Sequence, residues 1–216
     1  MNAIRINDER KEILLILSPF LVIALGYTTA RVAGIVLGDW AWVPLTAVFW
    51  TTLGILISVH GGMARWREWL QPSKGHWRWI VLAILSGLLP LPVFLLDWET
   101  IRPLWVWLPW LLFAFINPWF EEGYWRGVLL DVTSHWPNWQ RILYTSAVFA
   151  VSHPFMWGVH SLVNRTIFVW GSTFIMGLVW SAVYIKTKSL RWAIVAHIMV
   201  DLLNLSVAAF LNLILP

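Results

Sequence analysis

Long uncharged stretches separated by short polar connections dominate this 216-residue chain. Each stretch is close to the roughly 20 residues that an α-helix needs to cross the hydrocarbon core of a bilayer. Six of them lack Asp, Glu, Lys and Arg, and the seventh contains only Asp201. In chain order they are Ile13–Ala30, Trp40–Ala64, Trp79–Leu96, Pro103–Phe120, Ile142–Asn164, Thr166–Ile185 and Trp192–Pro216. The pattern predicts an all-α, polytopic membrane protein with about seven transmembrane helices.

The composition supports this class of protein. Hydrophobic residues make up 59% of the chain and charged residues only 12%, whereas soluble domains carry about 25% charged residues. With no repeat or domain linker in view, we expect residues 1–216 to form a single integral membrane domain. The net charge of +4 is explained by basic loops and does not indicate nucleic-acid binding. The chain has no cysteine, which excludes disulfides and thiol chemistry.

The segment edges carry two further signals. Mixed charges precede Ile13–Ala30 and no small-residue cleavage site follows it, so we expect a retained helix rather than a cleaved signal peptide. Tryptophan pairs lie at the edges of several segments, where an indole suits the headgroup layer. These pairs, expected to be interface anchors, are Trp40/Trp42, Trp66/Trp69 and Trp77/Trp79.

The basic residues predict an orientation. If the N-terminus is cytoplasmic and all seven segments cross, eleven of the fifteen Lys and Arg residues lie inside, three lie outside, and Arg126 lies within a helix. This positive-inside bias indicates a cytoplasmic N-terminus in a bacterial cytoplasmic membrane. The weakest crossing is the fifth, because Pro154 and Gly158 interrupt it, and whether it fully spans stays open.

The orientation brings four polar residues to similar depths. At about 1.5 Å per helical residue, Glu121 lies roughly 15 Å, His153 roughly 18 Å, His197 roughly 9 Å and Asp201 roughly 15 Å from the cytoplasmic helix ends. Ionisable residues are costly inside a membrane and usually face a bundle interior or a water-filled cavity. The sequence therefore predicts a polar intramembrane site built from three helices.

Helical spacing adds supporting residues around these four. Glu122 and Arg126 are four apart with the acid first, the better orientation for a helical ion pair. His197 and Asp201 share a face, and Asn204 follows on that face one turn later. Phe149 likewise shares a face with His153. Taken alone, the ion pair could be purely structural, and either histidine could simply make an interhelical hydrogen bond.

Three short motifs in this order resemble one family. EEGYWRG (Glu121–Gly127) fits E-E-x-x-x-R-G, FAVSH (Phe149–His153) fits F-x-x-x-H, and HIMVD (His197–Asp201) fits H-x-x-x-[N/D]. Together they resemble the CPBP family of intramembrane endopeptidases, which includes CAAX prenyl proteases and bacterial proteins linked to bacteriocin processing and self-immunity. The resemblance covers about Phe120 to Asn204, and we expect the catalytic core to span about residues 104–214.

The resemblance implies peptide-bond hydrolysis by activated water. Carried over by position, Glu121 is the general base and His153 helps to hold the water. His197 and Asp201 would stabilise the oxyanion. Glu122 and Arg126 would support the first motif, while Phe149 and Asn204 line the site. A carboxylate in a poorly solvated pocket suits a base that works near neutral pH.

Position 201 departs from the family's common Asn form, because an ionised Asp cannot donate to an oxyanion. Three alternatives stay open. Asp201 is held neutral, with nearby Glu121 contributing; Asn204 supplies the donor; or Asp201 orients His197. We favour the first.

Zinc is the competing chemistry, since catalytic zinc takes three protein ligands and an open position. Its ligands would be Glu121, His153 and His197. The H-E-x-x-H spacing that brings two ligands and a base onto one helix is absent. We therefore favour a metal-free, glutamate-type mechanism with no cofactor and leave zinc as the alternative.

The sequence thus predicts an intramembrane endopeptidase cutting near the cytoplasmic side, with a peptide or membrane-protein substrate and lipid as its surroundings. The alternative is a non-catalytic membrane scaffold or bacteriocin self-immunity protein that retains the motif residues structurally. A transporter ranks last, because paired interrupted helices in two matching halves are missing. Nothing in the sequence indicates the oligomeric state.

Overall fold

The computed structural model describes residues 2–214, with side chains from residue 9 onward. Regular structure in this part of the chain is entirely helical, which confirms the predicted all-α class. The α-helices are α1 (Asn2–Leu37), α2 (Trp42–His60), α3 (Gly62–Trp69), α4 (Trp77–Gly87), α5 (Leu91–Asp97), α6 (Leu104–Glu122), α7 (Leu129–Val132), α8 (Asn138–Met156), α9 (Ile167–Thr187), α10 (Arg191–Leu203) and α11 (Ser206–Phe210). A π-helical turn, Gly123–Val128, joins α6 to α7.

Four helical stretches within residues 2–214 are long and apolar enough to cross a membrane. They are Glu9–His60, Trp77–Ile101, Asn138–Val159 and Ile167–Thr187. The protein is therefore a helical membrane protein, while the count of seven crossings stays a prediction. The longest stretch combines the first two predicted segments: Gly38, with a positive φ of 55°, lies in the short turn between α1 and α2, which pack against each other.

The third and the seventh predicted segments are interrupted near their middles. The third is interrupted at Leu88–Pro90, between α4 and α5. The seventh ends at Leu203, because Leu205 adopts the left-handed conformation (φ 54°) and the chain restarts as the short helix α11. α10 has 13 residues, about 20 Å of helix, and so covers only part of the bilayer thickness.

The fifth segment behaves differently from expectation. α8 continues through Pro154 and ends at Met156, and Gly158 follows in a 3₁₀ turn. Pro154 therefore does not end the helix, and the break lies only at its far end.

The tryptophan pairs divide between surface and interior. Trp40 and Trp77 are 43% and 61% exposed, as expected for interface anchors, but Trp42 and Trp69 are only 6% and 2% exposed. The anchor interpretation is therefore wrong for these two, whose rings pack inside the protein.

An aromatic cluster formed by Trp42, Phe113, Trp157 and Phe210 joins four helical regions. Phe210 stacks on Trp157 at 4.7 Å between ring centroids and meets Phe113 edge-on at 5.2 Å. Trp42 packs against both phenylalanines at 6.0 and 6.4 Å. Offset and edge-on aromatic pairs add stability beyond area burial, so this cluster fixes the end of α8 and the restart after α10 against α2 and α6.

Helix packing brings the three motif-bearing regions together. α10 packs against both α6 and α4, and α8 contacts the π-helical turn as well as α9. The helical regions that carry the three motifs therefore lie against one another.

Candidate active site

The first motif lies where α6 passes into the π-helical turn, a feature that frequently marks functional sites. Glycines at this turn let two tryptophans approach closely. A Cβ added to Gly123 would come 2.7 Å from the ring of Trp66, and one added to Gly127 would come 2.7 Å from the ring of Trp69. The glycine that closes the first motif is thus explained by packing rather than by chemistry.

Glu122 joins the first motif to the third. Its Oε1 accepts from Arg126 Nη1 at 2.9 Å and lies 2.7 Å from His197 Nδ1. Because an ionised carboxylate only accepts, Nδ1 carries the proton in this arrangement. Glu122 and Arg126 are 0% and 1% exposed, so the predicted ion pair is present and fully desolvated.

Aromatic faces stabilise the buried guanidinium. Arg126 Cζ lies 4.1 Å from the ring centroid of Phe149 and 5.1 Å from that of Trp180. A cation over an aromatic face is attracted by the ring quadrupole, most strongly when desolvated. Phe149, predicted as a supporting residue of the second motif, therefore also supports the first.

Asn117 links the general-base candidate to the third motif. Its Nδ2 lies 3.1 Å from Glu121 Oε1 and 3.1 Å from Asp201 Oδ2, and its Oδ1 accepts from Trp50 Nε1 at 2.9 Å. The sequence interpretation missed Asn117, although it precedes Glu121 by four residues in an otherwise apolar helix. That spacing was the available signal.

Glu121 is 2% exposed, and its Oε2 is buried with no hydrogen-bond partner among the described residues. One carboxylate oxygen of Glu121 is therefore held by the protein, and the other is not.

His197 is held between a ring and two carboxylates. The Trp180 ring lies 4.9 Å from the imidazole, and the Trp180 indole is itself fixed by a 2.9 Å hydrogen bond to Ser86. On the far side of the imidazole, Nε2 lies 3.8 Å from Asp201 Oδ2. The Trp110 indole also donates to the Asp201 carbonyl at 3.2 Å, which fixes this part of α10 against α6.

His153 is half-buried on α8. Its Nδ1 lies 3.0 Å from the Phe149 carbonyl, and because a carbonyl only accepts, Nδ1 carries the proton and Nε2 has the lone pair. The Phe149 ring packs edge-on to His153 at 4.9 Å and also faces His197 at 6.3 Å. Phe149 thus lies between the two histidines.

Asn204 does not continue α10 as predicted. It follows Leu203 as the C-terminal cap of the helix, and its side-chain oxygen is buried without a hydrogen-bond partner in the described part of the chain. Among the described residues, no hydrogen bond joins its side chain to the other candidates, because the helix ends before the next turn forms.

The geometry divides the glutamates differently from the sequence interpretation. Depth alone led us to expect that Glu121 meets His197 while Glu122 only supports the motif, but the direct contact to His197 is made by Glu122. Consecutive helical residues point about 100° apart, and depth does not report that direction. We call Glu121, Glu122, Arg126, His153, His197 and Asp201 together the motif cluster.

The zinc alternative requires three ligands converging on one point. No group of three or more His, Asp or Glu side chains in residues 9–214 is arranged to hold a metal ion. His197 Nδ1 is engaged by Glu122 and His153 Nδ1 by a backbone carbonyl. A zinc-bound imidazole commonly donates its other ring N–H in this way, so these contacts are compatible with either mechanism; zinc stays the alternative, and the proposed steps involve no metal.

A further carboxylate, partly buried, lies at the end of the same helical region. Asp131 Oδ2 accepts from Trp69 at 3.0 Å and lies 3.4 Å from His60 Nε2, and its Oδ1 accepts from Tyr184 at 2.8 Å. Burial raises the pKa of Asp131, but the hydrogen bonds from these three residues outweigh burial and hold the pKa below its usual value. We call these four residues the Asp131 cluster; the sequence interpretation assigned it no role.

Comparison with known proteins finds a family model that matches this part of the chain. Residues 103–203 match the family model described as "Type II CAAX prenyl endopeptidase Rce1-like". The matched region contains the whole motif cluster and Asn117, and it ends one residue before Asn204. No curated protein and no solved structure matches the chain.

Proposed function

Because residues 103–203 match the model of a CAAX prenyl endopeptidase family, we propose that the chain hydrolyses peptide bonds within the membrane, with Glu121 as the general base. The observation that carries this proposal is that Glu121 is held only by the neutral amide of Asn117, at Oε1, while its Oε2 is buried without a partner among the described residues. Glu122 also keeps Oε2 without a partner, but that carboxylate is tied to Arg126 and His197 through Oε1. A base needs such an unoccupied oxygen within reach of the water that it activates.

In the proposed step, water lies between Glu121 Oε2 and His153 Nε2, which accepts a hydrogen bond through its lone pair. Glu121 takes a proton from the water while the water oxygen adds to the scissile carbonyl carbon. The proton then passes to the departing amide nitrogen as the C–N bond breaks, so Glu121 ends ionised. General acid–base catalysis of this kind contributes about 10²- to 10⁴-fold.

His197 is the proposed donor to the oxyanion formed in this step. Glu122 fixes its Nδ1–H, and Asp201 faces its Nε2 at 3.8 Å. This geometry favours the alternative in which Asp201 orients and charges His197, rather than donating to the oxyanion itself. A donor fixed in a site without bulk water stabilises developing negative charge better than water does.

The proposed cytoplasmic location is supported by a basic cavity. A cavity of about 660 Å³ is lined by Arg65, Arg67, Lys74 and Lys188, together with Asp131 from the end of the first-motif region. Positive charge concentrates on the cytoplasmic side of membrane proteins. The first motif would then run inward toward this cavity, in the bacterial cytoplasmic membrane that we propose as the location.

The proposal is tested with purified protein and a peptide library, half of whose members carry a C-terminal prenylated cysteine motif. Glu121→Gln is expected to lose cleavage by about 10²- to 10⁴-fold while keeping its melting temperature. Glu99→Gln is the matched control, because Glu99 is an exposed carboxylate paired with Arg102. A chelator arm reports metal dependence, and the library reports the substrate class.

Undiminished cleavage by Glu121→Gln would overturn the mechanism. If the wild type cleaves nothing while Glu121→Gln lowers the melting temperature, the scaffold or self-immunity alternative replaces the proposed enzyme.

A further inference from the structure

Asn117 has an unusual set of neighbours for a membrane-embedded amide. It is 2% exposed, and its three polar contacts reach a tryptophan on α2 and carboxylates on α6 and α10. An amide side chain has two N–H donors and one acceptor oxygen. Here both donors face carboxylates and the oxygen faces an indole.

Trp50 determines which way round this amide lies. An indole N–H donates only, so the atom 2.9 Å from Trp50 Nε1 must be the amide oxygen. The opposite orientation would place the oxygen against two carboxylates and the NH₂ group against the indole N–H. Each contact therefore requires the same orientation.

The Trp50 ring is itself held in place by α6. It stacks on Phe120 at 5.6 Å with an interplanar angle of 11° and on Phe113 at 5.9 Å with an angle of 29°. Phe113 and Phe120 are seven residues apart, on one face of the helix. The indole N–H consequently points at Asn117 from a fixed position.

We propose that Trp50 and Asn117 form a clamp that positions the general base, with Trp50 acting only through the amide of Asn117. The amide holds Glu121 Oε1 and so directs Oε2 toward the reactants, and it joins Glu121 to Asp201 on another helix. Neither residue belongs to the three motifs. The clamp is a positioning device, and its catalytic consequence rests on the proposed function.

The kinetic test is a double-mutant cycle on peptide cleavage. Asn117→Ala is expected to lower kcat by about 10- to 100-fold, because small displacements of a reacting group are costly, while KM stays within about twofold. Trp50→Phe keeps the aromatic stacking but loses the N–H, and it is expected to lower kcat by about 2- to 10-fold, the worth of one hydrogen bond. In the Asn117→Ala background Trp50→Phe is expected to have no further effect.

The matched control is Trp42→Phe. Trp42 lies two turns earlier on α2, and its indole nitrogen has no hydrogen-bond partner among the described residues. This variant is expected to leave kcat unchanged at a temperature where it is folded. An equal effect of Trp50→Phe in both backgrounds, or an unchanged kcat in Asn117→Ala, would overturn the clamp.

A second readout does not depend on activity. The indole ¹⁵N–¹H resonance of Trp50, identified by its loss in Trp50→Phe, is expected to shift in Asn117→Ala and also in Glu121→Gln, because the amide connects the three side chains. If the resonance shifts in both variants but the wild-type protein cleaves no peptide, the clamp stands and the proposed function fails. An indole resonance indifferent to both substitutions overturns the clamp, whatever the activity.

Discussion

Two carboxylate clusters, one buried and one partly exposed at the edge of a cavity, lie ten residues apart along the same stretch of chain, and they differ in how fully their oxygens are used. Both oxygens of Asp131 have side-chain partners in the Asp131 cluster. In the motif cluster, Glu121 and Glu122 each keep one buried oxygen without a partner in the described part of the chain. A carboxylate whose oxygens are all engaged is a structural anchor, whereas one with an unengaged oxygen can still receive a reactant.

The two clusters also differ in how they balance charge. Asp131 has three neutral or titratable donors and lies at the edge of a basic cavity. Glu122 is held by Arg126 and by His197, and the charge of Arg126 is balanced by that carboxylate and by aromatic faces. The motif cluster should therefore be the more sensitive of the two to loss of a single partner.

The largest effect on stability is expected from Arg126→Met. Methionine keeps contact with the rings of Phe149 and Trp180, but it leaves Glu122 buried without its cationic partner. Breaking a buried ion pair from one side costs about 3–5 kcal/mol. Chemical unfolding in detergent micelles measures this loss.

The double variant Glu122→Gln/Arg126→Met is the control, since removing both charges is expected to recover part of the stability. Equal stability of Arg126→Met and the wild type would show that the motif cluster tolerates an unpaired carboxylate, and would remove the contrast with the Asp131 cluster.

A smaller effect on stability is expected from Asp131→Asn. The substitution replaces one carboxylate oxygen with an NH₂ group, which then faces side chains that are themselves hydrogen-bond donors. The cost is roughly 1–3 kcal/mol for each donor left unpaired, while peptide cleavage per folded molecule stays unchanged. Ser134→Ala is the control, because Ser134 lines the same cavity from an exposed position. If the folded Asp131→Asn variant lost peptide cleavage, Asp131 would not be a purely structural anchor, and the contrast between the two clusters would be wrong.

The same substitution should change the acid stability. Because the folded state lowers the pKa of Asp131, it binds this proton less readily than the unfolded chain does. The stabilisation is present above the unfolded pKa of about 3.9 and is lost as the pH falls through the folded pKa. Below about pH 4, the melting temperature of Asp131→Asn is therefore expected to fall less steeply than that of the wild type.

The smallest effect is expected from Gly127→Ala, where the two clusters meet. The added Cβ would lie 2.7 Å from the ring of Trp69, whose indole donates to Asp131. Overpacking of this kind costs roughly 1–3 kcal/mol. Gly171→Ala is the matched control, since nothing lies within 4 Å of its added Cβ. Equal melting temperatures for the two variants would contradict the close packing at the turn.

The sequence predicted the membrane class and one local contact well. The length of an uncharged stretch indicates a membrane-spanning helix, because the thickness of the hydrocarbon core sets how long such a helix must be. The ion pair of Glu122 and Arg126 follows from i, i+4 spacing along one helix. Both features depend on the spacing of residues along a single helix, which can be read directly from the sequence.

Contacts between helices could not be read in the same way. Which glutamate meets His197 depends on helix rotation and on the π-helical turn, and neither is visible in a depth estimate. Trp50 and Trp69 carry an indole that suits an interface and an interior equally, so their hydrogen bonds to Asn117 and Asp131 needed tertiary structure. The left-handed conformation at position 205 could not be predicted, because such a position after a helix is usually Gly or Asn and here it is Leu.

The aromatic cluster of Trp42, Phe113, Trp157 and Phe210 has a consequence for the membrane's permeability. Phe113 precedes Glu121 by eight residues, about 12 Å along the helix, and the cluster lies toward the outer ends of α2 and α8 in the predicted orientation. A wet pocket that crossed the whole bilayer would conduct protons. With rings closing the outer half, we expect proteoliposomes containing this protein to hold a proton gradient as well as empty vesicles do, and Phe210→Ala to make them leak.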